Sequence, residues 1–154
     1  MSLSTPRATR TRAVWIVRVV GLCVYIVAFF LPACREVASA GQDPETFQGS
    51  RCAWITLVNT LSSEMWHSKG FLAILSGWIN PLIVLYLVFL LFPKLRWPRR
   101  VVAGLIVVFI AGTWVFFAIL PLVPLVGHVL WIAGILLILS GEAFGGEKAG
   151  LPAA

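Results

Sequence analysis

The chain has 154 residues, 60% hydrophobic and 12% charged, with a formal net charge of +6 at pH 7. A soluble domain carries about 25% charged residues, so this composition excludes a water-soluble globular domain and points to the membrane class. The basic residues sit in two short clusters beside apolar runs, without the aromatic–basic interleaving that binds nucleic acid, so nucleic acid is excluded as a partner and the charge reads as a topology signal.

A spanning helix needs roughly 20 mostly apolar residues. Residues 1–14 form a basic arm, and a first span follows at 15–33, interrupted only by Arg18. Arg18 lies near the start of that span, where its long stem can snorkel to the headgroups. The loop 34–70 opens with a polar, turn-rich stretch, AGQDPETFQGS. Trp54, Leu57, Val58, Leu61 and Met65 then recur at helical spacing. They predict a short amphipathic helix over 53–66, lying on the outer membrane surface or capping the bundle. The simpler role, a connector packed on the helices, is preferred over a lipid-sensing one.

The second span is 71–92. Residues 101–140 hold no charge if His128 is neutral, and they are the right length for two spans. The central LPLVPL carries Pro121 and Pro124, which predict a tight hairpin between spans 101–120 and 123–140. Residues 141–154 read as a polar, Gly-rich, mobile cytoplasmic tail. Arg7, Arg10, Arg12, Arg18, Lys94, Arg96, Arg99 and Arg100 all fall on one side of this arrangement, so both ends of the chain face the cytoplasm. The expected fold is thus all-α: a single polytopic domain of four transmembrane helices in the cytoplasmic (inner) membrane, with a short extracytoplasmic helix between helices 1 and 2.

Spans three and four carry a pattern of small residues. Gly104, Ala111 and Ala118 are spaced by seven, as are Gly127, Gly134 and Gly141. The two sets mirror each other about a point between Leu122 and Val123. Small residues allow close backbone approach in lipid, so the pattern predicts that spans three and four pack face to face.

Asn80 stands inside span two, followed by Pro81, which frees the carbonyl about four residues earlier, near Gly77. Asn80 lies about 13 Å below the outer end of its span, and Tyr25, Thr113 and His128 lie roughly 7–13 Å below theirs. These four form a candidate outer-leaflet polar cluster. Hydrogen bonds between spans commonly serve packing, so the cluster reads first as interhelical glue and second as a site for a small ligand, proton or quinone. No acid lies between the helix ends, which weighs against a proton relay. Neither His128 nor Cys23 has neighbours in sequence that would make a metal site.

Cys34 and Cys52 both fall outside, where disulfides persist. They form a candidate disulfide, with closure of the loop contributing about 3 kcal/mol. The chain lacks the Cys-x-x-Cys pair and relay pair of four-span thiol oxidoreductases, so the bond would be structural. A lipobox ending at Cys34 is disfavoured by Pro32, where lipoboxes carry a small or β-branched residue.

The order Leu31-Pro32-Ala33, then Trp78-Ile79-Asn80-Pro81, then Gly127-His128-Val129-Leu130-Trp131 resembles a group of uncharacterised small bacterial membrane proteins. Their pattern reads approximately LPA, WxxNPL, a basic loop, and GYxLWxxS. His128 stands at the Tyr position and Gly134 at the Ser position. The resemblance implies a four-span membrane protein and brings no assigned activity. The expected function is therefore a small non-enzymatic membrane protein without cofactor, partnered by the lipid bilayer and by other membrane subunits or itself, as an accessory or assembly subunit. The alternatives are a small transporter or ligand-binding protein using the polar cluster, and an envelope thiol/disulfide protein using Cys34 and Cys52.

Overall fold

The computed structural model describes residues 6–37, 43–59 and 71–145, with side chains described for 12–37, 43–58 and 74–142. In chain order the elements are α1 (Pro6–Ala28), β1 (Pro32–Glu36), β2 (Thr46–Gln48), α2 (Gly49–Asn59), α3 (Phe71–Leu90), α4 (Arg96–Ile119), β3 (Leu122–Pro124) and α5 (Val126–Gly145). The protein is mostly helical but not all-α, because a three-stranded antiparallel sheet of order β2–β1–β3 is present.

The sheet arises where the first helix stops. α1 ends at Ala28, five residues before the apolar run does. The amides of Phe29, Phe30 and Leu31 turn back to the carbonyls of Ile26, Val27 and Ala28 at 3.0–3.3 Å, a tightened last turn. Pro32 cannot continue the ladder, and the chain leaves as β1. There Cys34, Arg35 and Glu36 pair with Pro124, Val123 and Leu122 of β3. On the other edge, Cys34 and Arg35 pair with Phe47 and Thr46 of β2, after an irregularity between Pro32 and Cys34. Val37 N donates to Pro121 O and Leu125 N to Ala33 O, both at 2.8 Å. The middle of the LPLVPL stretch, Leu122–Pro124, is therefore a strand rather than part of a tight hairpin turn.

That strand changes which helices touch. It carries the chain from α4 to the end of α1, and α5 then returns along α1. The closest helix pairs are α1 with α5 and α3 with α4, while α4 and α5 barely meet. The expected face-to-face packing of spans three and four is thus corrected. The glycines of α5 are at a close interface, but their partners are α1, for Gly134 and Gly141, and the chain just beyond it, for Gly127. A Cβ at Gly134 would lie 2.6 Å from Tyr25 N and 2.9 Å from Gly21 O, and one at Gly127 would lie 2.7 Å from Pro32 O. A Cβ at Gly141 would overlap the Arg18 guanidinium. On α4, Gly104 has nothing within 4 Å of where its Cβ would be, and Ala111 and Ala118 are exposed.

The core between the two pairs is apolar and built at helical spacing. Ile79, Ile83 and Tyr86 of α3 meet Val102, Ile106 and Ile110 of α4, with Ile135, Ile138 and Leu139 of α5 and Tyr25 of α1. α3 runs unbroken through Pro81. Near the carbonyl that Pro81 frees, α2 packs closely, with Thr56 O 2.9 Å from where a Gly77 Cβ would lie.

Three further boundaries differ. α1 begins at Pro6, inside the expected arm, and α2 begins at Gly49 rather than at 53. α2 turns Cys52, Ala53 and Thr56 towards the bundle, and Trp54, Ile55, Leu57 and Val58 are exposed. Leu61, Met65 and the rest of the expected helix 53–66 lie outside the described residues. α5 runs to Gly145, so the expected tail starts as helix, and residues 146–154 lie outside the description. By length and composition one described helix, α4, can cross a membrane, whereas α3 and α5 hold the shorter apolar stretches Ile74–Leu90 and Val126–Glu142.

Candidate functional site

Two polar nodes join the α1/α5 pair to the α3/α4 pair, one towards each end of the bundle. At the end that carries the sheet, the acceptor is Asn80 of α3. Its Oδ1 accepts from Tyr25 Oη of α1 at 2.8 Å and from Trp131 Nε1 of α5 at 3.1 Å. Tyr25 also meets Phe29 edge-on, with ring centroids 5.1 Å apart. Asn80 is thus the hub through which three helices are tied.

Of the four residues expected in the polar cluster, Tyr25 and Asn80 bond directly. His128 lies beside them but bonds to neither. Its ring sits among Phe117 at 4.6 Å, Trp131 at 5.6 Å and Trp114 at 5.8 Å between centroids. Its Nε2 is buried without a hydrogen-bond partner. Thr113 stands apart from the cluster, because its hydroxyl donates to Phe109 O one turn back in its own helix at 3.0 Å. The residue that reading the sequence missed is Trp131. An indole N–H in an apolar helix face needs an acceptor, and that requirement is the available signal.

Asn80, His128 and Trp131 line a chamber with Ser76, Cys52 and Thr56, among others. Its volume is about 60 Å³, room for a few waters and well below the roughly 300 Å³ at which small-molecule pockets begin. Among the described residues no charged side chain lines it, so an ionic occupant would be desolvated without compensation from them.

Cys52, in the first turn of α2, lines the chamber, and Cys34 on β1 lies against it. Their sulfurs are 3.5 Å apart and both are free thiols. A thiol that donates to its neighbour favours that neighbour's thiolate, so Cys34 is pulled below the usual thiol range. Cys52 is pushed up by the same contact and by burial. Cys23 is exposed on α1, away from this pair.

The second node is at the opposite end. Glu142 of α5 accepts from Arg18 Nη2 of α1 at 3.2 Å, from Arg99 Nη2 of α4 at 3.2 Å and from Tyr86 Oη of α3 at 3.1 Å. Arg99 Nε also lies 2.7 Å from Oε1, but its N–H points poorly at that oxygen and counts as unpartnered. The Arg18, Arg99 and Glu142 side chains are only 12–17% exposed. Arg18 therefore folds over Gly141 onto Glu142, where snorkelling to the headgroups was expected. Glu142 was assigned to the tail because Gly141, Gly145 and Gly146 surround it. The signal that could have found it is Arg18 itself, since a cation inside an apolar run calls for an acid.

Among the described residues, no group of three His, Cys, Asp or Glu side chains is placed to hold a metal ion. The arrangement can hold helices together, shelter a few waters and form one disulfide. No protein-family model, curated protein or solved structure matches this chain.

Proposed function

We propose that the chain is a four-span integral membrane protein with both ends in the cytoplasm, kin to the uncharacterised bacterial group it resembles, acting without catalysis as an accessory or assembly subunit of a membrane complex. The observation that carries the membrane reading is α4. Only 22% of its most apolar stretch is buried within the protein, whereas the core helix of a soluble protein would be mostly covered. The other helices add to it with exposed Trp15, Ile16, Val19 and Val20 on α1, Val84 and Val88 on α3, and Val129 and Leu136 on α5. Polar groups that would be costly in lipid turn inward onto Asn80 and Glu142. The accessory reading draws on the same economy of polar groups: Asn80 Oδ1 and Glu142 are engaged by neighbouring helices, and what remains for partners is a broad apolar surface. Mild-detergent purification with mass spectrometry tests it. Co-purification of defined membrane subunits is expected, and recovery only as a free monomer or homo-oligomer contradicts it.

A second reading, a ligand-binding or transport protein, is favoured by one observation. Asn80, His128 and Cys52 share a chamber, and His128 Nε2 has no partner. An Asn80→Ala protein that folds and assembles normally but loses transport would support this reading over the first. The thiol reading rests on the 3.5 Å sulfur separation. A quantitatively oxidised, inert pair in non-reducing peptide mapping would make the bond structural only.

A further inference from the structure

The small residues of α4 are left without a helix partner, and they share a face with two unpaired arginines. At 100° per residue, Arg96, Arg100, Gly104, Ala111 and Ala118 fall in one outward band of α4, centred about 120° around the helix from the band of buried Val102, Ile106, Ile110 and Thr113. Gly104 has no atom within 4 Å of where its Cβ would be. Exposed Val107, Val108 and Val115 rise on either side, so the band is a shallow groove. Gly104 lies about 6 Å and Ala111 about 16 Å from Arg100 along the axis, close to the depth of one membrane leaflet.

Three unfavourable terms coincide at the head of this groove. Arg96 and Arg100 are like charges one turn apart. Arg96 opens the first turn of a helix and Arg100 begins the second, and that end is already partially positive. The first turn holds no acid, and the cap residue Leu95 makes no side-chain cap bond. Lys94 adjoins them and is exposed. Arg99 turns inward to Glu142, but among the described residues no carboxylate pairs with Lys94, Arg96 or Arg100. An anion at this position reverses the sign of all three terms. The neighbouring surface calls for an amphiphile rather than a free anion: Leu91 is 71% exposed, Phe92 53% and Trp97 75%, and such an aromatic belongs at the headgroup level.

We propose that this face of α4 binds an anionic phospholipid, its phosphate held by Arg96 and Arg100 and one acyl chain lying over Gly104 and Ala111. The proposal rests on the membrane reading above. A second copy of the chain is a poorer occupant, because two-fold packing of parallel copies on this face would bring Arg96 and Arg100 against themselves.

The test uses the full chain in nanodiscs of mixed phosphatidylglycerol and phosphatidylcholine, followed by native mass spectrometry of retained lipid. Insertion into the discs reads on the membrane proposal alone, and lipid preference is scored only on inserted protein. The wild type is expected to retain phosphatidylglycerol over phosphatidylcholine by about tenfold. Arg96→Gln with Arg100→Gln should abolish the preference. Gly104→Leu should lower retention while leaving the charges in place. Equal retention of the two lipids, or no change in the double variant, overturns the proposal. So does competition by lipid-free glycerol phosphate at equal concentration, which would make the site one for a soluble anion. A lipid-free dimer broken by Gly104→Leu would assign the groove to a second copy, and a wild type that does not insert overturns both readings.

Discussion

Gly134→Ala and Gly104→Ala are the same chemical change on two residues of one sequence pattern, and the structure assigns them opposite outcomes. At Gly134 the added Cβ would sit 2.6 Å from Tyr25 N and 2.9 Å from both Gly21 O and Tyr25 Cα. These are backbone atoms, which cannot swing aside. Ordinary contact needs about 3.5 Å or more, so α1 must withdraw by roughly 1 Å. Such overpacking costs about 1–3 kcal/mol. The movement also stretches the 2.8 Å bond from Tyr25 to Asn80, adding about 0.6 kcal/mol. The better helix propensity of alanine returns up to about 1 kcal/mol. Gly104→Ala meets nothing and keeps only that gain. The two variants should therefore differ by about 2 kcal/mol, with Gly134→Ala the less stable, in equilibrium unfolding by sodium dodecyl sulfate from mild-detergent micelles. Leucine should widen the gap at Gly134. Equal stabilities, or greater damage at Gly104, would refute the α1/α5 pairing and restore the hairpin of α4 with α5.

Glu142→Gln leaves two largely buried guanidiniums facing each other without their acid, and should destabilise by about 3 kcal/mol. The double variant with Arg18→Gln should recover part of that loss, as the same unfolding assay would read. Asn80→Ala removes the acceptor for Tyr25 and Trp131 and should cost about 1–2 kcal/mol, whereas Thr113→Val, which breaks only a bond within α4, should stay within about 0.5 kcal/mol. The contact with Cys52 pulls the Cys34 thiol down, and the same contact pushes Cys52 up. Modification of Cys34 by a small methanethiosulfonate should therefore begin at lower pH in the wild type than in Cys52→Ala, read by peptide mass across a pH series. An unshifted profile would remove that hydrogen bond from the account.

Where the chain follows helical periodicity, its sequence is readable. The apolar run from Phe71 became α3, and the charge-free stretch became the body of α4 and α5. The failures share a physical origin in non-local backbone pairing. Neither FFLPACREV nor LPLVPL alternates in hydrophobicity, because β1 and β3 are three to five residues long and are defined by pairing with each other. Without that pairing the short connection reads as a hairpin, and the glycines of α5 are matched to the wrong helix. The polar groups divide similarly. Asn80 is visible because an amide in an apolar run stands out. Glu142 is harder to see because it sits where the polarity of the tail begins; Arg18 calls for an acid, but which acid answers it is fixed by the three-dimensional position of Arg18 and Arg99. Thr113 shows the limit of reasoning from depth, since a hydroxyl can satisfy itself one turn back in its own helix.

The central claim is that α1, α3, α4 and α5 all cross the membrane, which alternates the exposed connections between its two sides. Single cysteines at Gln48, Lys94 and Pro121, in a chain with Cys23, Cys34 and Cys52 replaced by serine, report this directly through labelling by a membrane-impermeant maleimide in intact and permeabilised cells. The account predicts that Gln48→Cys and Pro121→Cys label in intact cells and Lys94→Cys only after permeabilisation. Labelling of Gln48→Cys and Lys94→Cys from the same side would mean that α3 does not cross, and would contradict the four-span protein.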